Sequence, residues 1–460
     1  MQQVTTELLE RFDIPGPRYT SYPTADRFVE AYGPGQYSQC LEQRRQGVGV
    51  RSVPLSVYIH IPFCESLCYY CACNKIITKR YSKALSYLVL LEREIELHAN
   101  AFGIRQNVSQ LHLGGGTPTY LRDQELATLI KALDRAFEFT PTCERSIEVD
   151  PRTVSTERLK FLRELGFNRI SFGVQDFNEG VQKAVHRIQS LEDVTELVCS
   201  SRDIGFESIN LDLIYGLPKQ TPSSFERTLE QVIAISPERI ALYAYAHLPA
   251  RFKPQRRIHD SELPSGTSKV FMLARAMKQL ADAGYIYIGM DHFAKSTDSL
   301  AISKRRGTLH RNFQGYTVQP DGDLIGLGVS AIGRVGASYS QNAKDLDSYS
   351  DLLEQGKFPI VRGLTLSRDD LLRRTIIMAL MCQGLLSFDD IEQSYLIDFK
   401  SYFGNELEQL VQMQNDGLVK IDVNGIEVTS RGWFFVRAVA MVFDKYLTLE
   451  GNRARFSKII

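Results

Sequence analysis

The sequence has no long hydrophobic run, no excess of charge of either sign and no pattern of a secretory leader. No 18 consecutive residues are apolar, so no segment predicts a membrane-spanning helix. The N-terminal string MQQVTTELLERF carries acidic residues and lacks the apolar centre of a signal peptide. We therefore expect a soluble, cytoplasmic protein without a membrane partner, in which thiols stay reduced and disulfides do not form.

Positive and negative side chains balance, with 54 Lys plus Arg and 54 Asp plus Glu. A chain without a basic excess does not favour nucleic acid or an anionic membrane as its main partner, so an acidic ligand needs local cations. Internal repeats and low-complexity tracts are also missing. The 460 residues exceed an average domain and can bury a large core around a site. These features favour an ordinary enzyme, and we expect a monomer.

What the sequence does have is a concentration of cysteine, because four of its eight cysteines fall between Cys64 and Cys73. Their spacing, C-x3-C-x2-C-x-C, differs from the paired C-x2-C of structural zinc sites. Three close thiolates suit a [4Fe-4S] cluster, because each can bind a different iron. If only three bind, the fourth iron stays open to chelate the amino and carboxylate groups of a ligand. Zinc, disulfides and thiols buried in the core remain as alternatives.

Short apolar runs alternate with helical patterns from residue 55 to residue 248. The predicted strands lie at 55–61, 109–113, 146–150, 168–175, 208–214 and 239–248. Strands separated by helices imply a parallel sheet, and six such units suit a partial or complete barrel of the α/β class. In such a barrel the carboxyl ends of the strands form the functional face.

Glycines and polar residues follow these strand ends. The run Gly114–Gly116 follows the second strand, and Glu148, Gln175 and Asp212 lie at the ends of the next three. Glycines let a ligand approach the backbone closely. An inward carboxylate can hold a ribose hydroxyl or a cation. Each polar residue alone could equally meet solvent or cap a helix, but three together favour a binding face.

Two further cationic positions are ambiguous from the residues alone. Arg187, beside His186, is typical of a solvated helix end. The string HRNFQGYT (310–317) places Arg311 among aromatic side chains, which suits a flat ligand bearing carboxylates. A polar loop packed on its own aromatics is equally compatible with that string.

The flanking regions depart from the alternating pattern. Residues 1–50 predict an extended arm laid over the main domain, with Arg18 near a mouth that the arm could cover. Residues 361–460 predict helices with an Asn-Gly hairpin, docked on the barrel. The predicted domains are therefore an arm (1–50), a barrel with its extension (51–360) and a C-terminal helical domain (361–460).

The cysteine spacing and its lead YIHIPFC, after a strand, resemble the radical S-adenosylmethionine (SAM) enzymes. Further strings narrow the resemblance: PRYTSYPTA, LHLGGGTPTYL, SIEVDPR, SFGVQDFN, NLDLIYGLPKQT, YAHLP, GMDHFA and HRNFQGYT. Nearly the whole chain is similar to the bacterial oxygen-independent coproporphyrinogen III oxidases. The resemblance implies a radical SAM partial (β/α)6 barrel with an N-terminal arm and a C-terminal mainly helical domain.

The resemblance also implies a reaction and its cofactors. The reaction is oxidative decarboxylation of two propionates of coproporphyrinogen III to vinyls, which gives protoporphyrinogen IX in haem biosynthesis. In this family a [4Fe-4S] cluster cleaves SAM to a 5′-deoxyadenosyl radical, which removes a hydrogen atom from the substrate. Two SAM molecules, an electron donor for the cluster and an electron acceptor are implied as well.

Site residues carry over by position. The implied cluster ligands are Cys64, Cys68 and Cys71, with Cys73 left unbound. The residues implied to bind the first SAM are Tyr58, Gly115, Glu148 and Ile332, and the resemblance implies that Tyr58 and Glu148 are catalytic. The residues implied to bind the second SAM are Tyr70, Gly116, Thr117, Gln175, Arg187, Asp212 and Ala246. Arg18 and Arg311 are expected to orient substrate carboxylates. Tyr70 stands where the family commonly has Phe.

A haem-binding chaperone of a sibling radical SAM family is the alternative function. Cys73 and the strings PRYTSYPTA and HRNFQGYT argue against it, since the sibling family lacks them. Tight haem binding without turnover would favour it.

Overall fold

A computed structural model describes residues 6–12, 14–47, 53–450 and 456. The chain forms two compact units, a larger one of residues 28–283 and 322–365 and a smaller one of residues 1–27, 284–321 and 366–460. These units do not follow the predicted division into 1–50, 51–360 and 361–460, which stays a prediction about domains. The predicted boundary between residues 50 and 51 lies outside the described residues.

The larger unit is built on six parallel strands that are neighbours in chain order. They are β1 (Leu55–Ile61), β2 (Gln106–Gly115), β3 (Phe137–Val149), β4 (Arg169–Gln175), β5 (Ser208–Tyr215) and β6 (Arg239–Ala244). Parallel neighbours require a crossover, and a helix lies between each pair. The predicted α/β fold with six βα units is confirmed.

Helices connect or flank the strands of the larger unit. They are Pro34–Arg45, Ser82–Phe102, Asp123–Ala136, Thr156–Glu164, Glu179–Ala184, Leu191–Ile204, Pro222–Ile235, Gly266–Asp282 and Leu346–Glu354. In the longest, Ser82–Phe102, buried Leu88, Leu91 and Ile95 recur at helical spacing, and Gly103 ends the helix with φ 70°. Short 3-10 turns are Pro118–Tyr120, Pro151–Thr153, Lys253–Arg257 and Asp260–Glu262.

An extension continues the sheet on the β1 side. Strand Leu324–Leu327 pairs parallel with β1, and three antiparallel strands follow outward: Ile332–Val335, Ser338–Asn342 and Ile360–Thr365. The sequence did not predict these strands individually, because their runs are short and interrupted by glycine. They close one flank of β1, the strand that leads into the cysteine loop.

The smaller unit combines helices with short hairpins. Its helices are Thr6–Phe12, Ser299–Arg305, Arg368–Gln383, Phe388–Tyr395, Phe399–Tyr402, Gly404–Asn415, Val436–Met441 and Lys445–Glu450, with 3-10 turns at Ala25–Arg27 and Gly432–Phe435. Its strands are Tyr285–Gly289, His292–Lys295, His310–Asn312, Gly315–Thr317, Leu385–Ser387, Val419–Ile421 and Gly425–Val428. The mainly helical character predicted for the C-terminal region is confirmed.

The N-terminal arm contributes to the core of the smaller unit. Tyr19 and Tyr22 are completely buried in one apolar cluster with residues of 288–316 and 372–447. The Tyr19 hydroxyl donates to Asp444 at 2.9 Å. These tyrosines are therefore packing residues, which differs from the prediction of an arm merely laid over another domain. Among the described helices, none combines the length and the apolar character needed to cross a membrane.

Candidate active site

A cavity of about 920 Å³ opens at the carboxyl ends of the barrel strands. Its volume falls in the range of roughly 300–1,000 Å³ that is common for small-molecule sites. Every barrel strand or the loop after it contributes to the wall. The predicted site residues that line the cavity are Cys64, Cys68, Tyr70, Cys71, Gly115, Gly116, Thr117, Glu148, Gln175, Arg187 and Asp212.

The cysteine loop leaves β1 and is held at both of its flanks. Strands Phe63–Cys64 and Ile76–Ile77 pair in parallel, so the loop begins and ends side by side. The backbone N–H of Tyr69 donates to Val185 O at 3.0 Å. The Gln255 amide donates to Tyr70 O at 3.0 Å. Such fixed ends hold the cysteines over the cavity.

All four cysteines of the loop, Cys64, Cys68, Cys71 and Cys73, line this cavity. In the described part of the chain, no three His, Cys, Asp or Glu side chains form a site for a single metal ion. A [4Fe-4S] cluster spreads its thiolates over different irons, so separated thiols suit it better than they suit one zinc ion. All eight cysteines, each in a described position, are free thiols.

The cysteines of the loop differ in the pKa of their thiols and in exposure. A hydrogen bond from the Cys73 thiol lowers the pKa of Cys71 against the effect of burial, and the charge of Lys75 adds to the lowering. Burial raises the pKa of Cys64 to about 11. Coordination to a metal deprotonates a thiol regardless of that value. Cys73 is exposed, whereas Cys68 is buried.

Asp150 joins two arginines beside Cys68. Arg152 donates to the Asp150 carboxylate at 2.6 Å, and Arg187 donates to the same oxygen at 3.0 Å. Burial acts to raise the pKa of Asp150, but these arginines outweigh it and lower that pKa. Gly173 O accepts two further hydrogen bonds from Arg187, at 3.1 and 2.5 Å. Arg187 is thus a buried, fixed cation, not the solvated helix end that its sequence context suggested.

Glu148 lies at the end of β3 and is held by its neighbours. It accepts from Gly115 N at 3.1 Å and lies 3.3 Å from His112 Nε2. Burial favours a higher pKa for Glu148, but His112 and Gly115 outweigh it, so the pKa is lowered and the carboxylate stays ionised at neutral pH. The Tyr58 ring stacks on His112, with ring centroids 5.9 Å apart.

The three glycines after β2 make room for protein atoms. A Cβ on Gly114 would lie 2.9 Å from the Glu148 carboxylate, and one on Gly115 would lie 2.6 Å from the His60 ring. A Cβ on Gly116 would lie 2.7 Å from the backbone carbon of Pro62. The sequence predicted close approach of a ligand to this backbone. The structure shows that side chains and the cysteine-loop backbone already use that space, while Gly115 and Gly116 still line the cavity.

Gln175 and Asp212 also line the cavity. Gln175 has φ 71°, an uncommon conformation for a non-glycine residue, and it follows a register shift in the β4–β5 pairing. Asp212 accepts hydrogen bonds from Ser171 at 3.1 Å and from Asn210 at 2.8 Å. Burial, and then the charge of Glu148, raise the pKa of Asp212 to about 6.

Three predicted SAM residues lie off this cavity wall. Tyr58 lies in mid-strand and contacts His60 Nδ1 at 3.0 Å through its hydroxyl. Ala246 follows β6, and its carbonyl accepts from Gln255 at 3.2 Å. Ile332 begins a strand of the extension. Their assignment as ligand residues stays a prediction.

Several cavity residues were missed by the sequence reasoning. They are Lys75, Lys79, Arg122, Arg152, Arg158, Ser171 and Tyr243, among others. The position of Arg152 shortly after β3 is the same strand-end signal that indicated Glu148 and Asp150. Lys75, Lys79 and Arg122 lie on loops, where no periodicity indicates the direction of a side chain.

The two predicted substrate arginines belong to the smaller unit. Arg18 forms an ion pair with Asp291. Arg311 is buried, stacks over the Tyr316 ring at 4.6 Å, and donates to Arg18 O at 3.4 Å. Nε and Nη1 of Arg311 have no hydrogen-bond partner among the described residues. The loop does pack on its own aromatic ring, yet it leaves buried donors on Arg311.

Comparison with protein families gives two matches. Residues 58–232 match the model of the radical SAM superfamily. Residues 366–435 match the model of the HemN C-terminal domain. The first match begins within β1, contains the whole cysteine loop and ends in helix Pro222–Ile235, and the second lies in the smaller unit.

Known relatives are similar over the full chain. An oxygen-independent coproporphyrinogen III oxidase of Pseudomonas aeruginosa is 49% identical over 456 residues, covering 99% of this chain and 98% of the relative. The Escherichia coli protein of the same name is 46% identical over 462 residues, covering 100% of both. A solved structure described as coproporphyrinogen III oxidase (HemN) from Escherichia coli, a radical SAM enzyme, matches with TM-score 0.89 and 47% identity. It covers 95% of this chain and 100% of that chain.

Proposed function

This chain belongs to the oxygen-independent coproporphyrinogen III oxidases of the radical SAM superfamily, and from that membership we propose how its residues perform the family's reaction. The reaction is the oxidative decarboxylation of two propionates of coproporphyrinogen III to vinyls, an oxidoreductase step of haem biosynthesis. When bound, a [4Fe-4S] cluster and SAM supply a 5′-deoxyadenosyl radical that removes a hydrogen atom from the substrate.

The cluster is held by Cys64, Cys68 and Cys71. Their thiols line one cavity at the carboxyl ends of the barrel strands, and this observation carries the proposal. Cys73 lines the same cavity, but it is exposed and its thiol hydrogen-bonds to Cys71, which supports a role other than ligation. Thr117 Oγ1, 3.5 Å from Cys64 Sγ, fixes the first thiol beside the end of β2.

SAM binds along the strand ends beside the cluster. We propose two molecules, in line with the family. The ionised Glu148 and the backbone at Gly115 would hold the first molecule, together with Tyr58 and Ile332. Tyr70, Gly116, Thr117, Gln175, Arg187, Asp212 and Ala246 hold the second. A carboxylate such as Glu148 or Asp212 accepts from the hydroxyl or ammonium groups of SAM, and such charge-assisted bonds are about twice as strong as neutral ones.

Substrate carboxylates need cations that are not already neutralised. Arg311 presents buried Nε and Nη1 donors without a partner among the described residues. Arg18 is paired with Asp291. We therefore propose that Arg311 binds a propionate directly and that Arg18 does so by exchanging Asp291 for the substrate. Each can orient a carboxylate through two N–H donors of its guanidinium.

Further partners and location follow from the chemistry. We propose a low-potential one-electron donor for the cluster and a separate acceptor for the electron that leaves the substrate. We also propose a monomeric, cytoplasmic enzyme without nucleic-acid or membrane partners. The free state of all eight cysteines, which lie at described positions, supports a reducing compartment.

Anaerobic turnover tests the proposal. Reconstituted, reduced protein is incubated with SAM and coproporphyrinogen III, and the oxidised porphyrins are separated by chromatography. We expect protoporphyrin in the native protein and none in Cys68→Ala. Product formation by Cys68→Ala at the native rate would contradict the cluster assignment. The haem-chaperone alternative is not favoured, since the relatives that match over the whole chain are named as oxidases.

A further inference from the structure

Arg152 lies against the thiol of a proposed cluster ligand. Its Nη2 is 3.8 Å from Cys68 Sγ, within hydrogen-bond distance for sulfur. Arg187 Nη1 approaches the same sulfur at 3.5 Å. Cys68 is therefore contacted by two guanidinium groups.

Asp150 fixes the orientation of Arg152. Arg152 Nε donates to Asp150 Oδ1 at 2.9 Å, while Nη2 donates to Oδ2 at 2.6 Å. A two-point contact between a guanidinium and a carboxylate holds the plane of the arginine. Asp150 accepts from the backbone N–H of Arg152 at 3.1 Å as well. The side chain of Arg152 is only 22% exposed, so solvent screens its charge incompletely.

Donors to cluster sulfurs change the energy of the reduced state. When a [4Fe-4S] cluster accepts one electron from a low-potential donor, its net charge becomes more negative by one. A nearby cation and an N–H donor to a ligand sulfur stabilise that added charge and raise the reduction potential. Arg152 supplies both.

We propose that Arg152, oriented by Asp150, is a positioning residue that raises the reduction potential of the cluster through Cys68. The inference rests on the proposed ligation of the cluster by Cys64, Cys68 and Cys71. Arg187 shares the sulfur, but it also donates twice to Gly173 O, so its replacement would disturb β4 as well as the sulfur.

The test is a redox titration of the reconstituted full-length protein without SAM, monitored by the electron paramagnetic resonance signal of the reduced cluster. For Arg152→Met we expect a tenfold less favourable one-electron reduction, which is a midpoint about 59 mV more negative. Arg152→Lys keeps the charge but loses the two-point contact, so its midpoint should lie between those of the native protein and Arg152→Met.

Arg122→Met is the matched control. Arg122 lines the same cavity, but its guanidinium stacks over the Tyr81 ring at 4.1 Å. The reduction midpoint of the cluster in Arg122→Met should equal that of the native protein. An unchanged midpoint in Arg152→Met, or an equal drop in Arg122→Met, overturns the inference. Iron and sulfide content separates the two proposals, because failure of the native protein to assemble a cluster contradicts the ligation itself.

Discussion

The Glu148 carboxylate accepts a hydrogen bond from the backbone N–H of Gly115, with 3.1 Å between Oε2 and the nitrogen. This contact joins the carboxyl ends of two neighbouring barrel strands. Both residues were expected from the family to contact the same SAM molecule. Their direct bond means that the carboxylate is already oriented by the protein before a ligand arrives, which lowers the entropy lost on binding.

Replacing this carboxylate should weaken SAM binding. Hydrogen bonds to charged groups are worth about 1.5–3 kcal/mol, so Glu148→Gln should bind SAM roughly 10- to 100-fold more weakly. Calorimetric titration of the reconstituted protein measures the change. Glu65→Gln is the control, since Glu65 is an exposed carboxylate on the same cavity. Equal losses in both variants would indicate a general effect of charge and contradict a specific contact.

Cluster content should separate the four cysteines of the loop. Cys64→Ala and Cys71→Ala should lose most iron and sulfide after reconstitution, because each removes one of three ligands. Cys73→Ala should retain the cluster, since Cys73 is exposed and its thiol hydrogen-bonds to Cys71. Cys199→Ala removes another exposed thiol far along the chain and should behave as native. Retention of a full cluster by Cys71→Ala would refute the ligand set.

Gly116→Ala should disturb the start of the cysteine loop. An added Cβ would meet the Pro62 backbone carbon at 2.7 Å and Phe63 O at 2.8 Å, and backbone cannot rotate away. Overpacking of this kind costs about 1–3 kcal/mol, measured as the free energy of unfolding in urea. Gly35→Ala is the control, because its Cβ would meet nothing within 4 Å in helix Pro34–Arg45. Gly35→Ala should leave the free energy of unfolding unchanged or raise it. An equal loss of that free energy in both variants would contradict the steric argument.

Stability should fall with rising pH because of Glu94. This completely buried carboxyl accepts from Tyr349 at 2.5 Å, and from Gly328 N and Asn342 at 2.7 Å each. Burial raises its pKa to about 7 against these bonds. The folded state therefore binds the proton more tightly than the unfolded state, and unfolding releases it between about pH 4.5 and 7.

The expected loss over that window is roughly 1–3 kcal/mol in the free energy of unfolding. Urea titrations at several pH values measure it. Glu94→Gln should remove the pH dependence of the free energy of unfolding, whatever the stability of the variant itself. Glu96→Gln should keep that dependence, because Glu96 is exposed on the same helix. A native slope in Glu94→Gln would show that other groups cause the pH dependence.

Fluorescence of the single tryptophan should report the protonation of Lys304. The Lys304 ammonium lies 3.7 Å from the centroid of a Trp433 ring, and burial lowers the pKa of this lysine to about 7. Emission should therefore change with a midpoint well below the ordinary lysine value of about 10.4. Lys304→Met should abolish the transition, and Lys420→Met, an exposed lysine of the same unit, should not. Persistence of the transition in Lys304→Met would exclude Lys304 as its source.

Much of the barrel could be predicted because its signals are local. The strand predicted at 55–61 is observed with the same bounds, and the alternation of strands and helices follows from short-range periodicity. The strand predicted at 146–150 begins earlier in the structure, since Phe137–Val149 pairs with β2 from Gln106 to Leu113. Pairing with a neighbour extends a strand through residues whose own pattern is weak.

The amino-acid sequence alone specifies the parallel α/β class, the four cysteines of one loop and the polar strand ends of one face. Each depends on residues close in the chain or on a rule of topology that all parallel barrels obey. Only the tertiary structure decided that Cys68 meets Arg187, 119 positions away, and that Gly114–Gly116 make room for Glu148, His60 and the loop backbone. The burial of Tyr19 beside Asp444 was decided in the same way. Such contacts depend on how distant segments pack, and a side chain's own chemistry does not specify which partner the fold will bring to it.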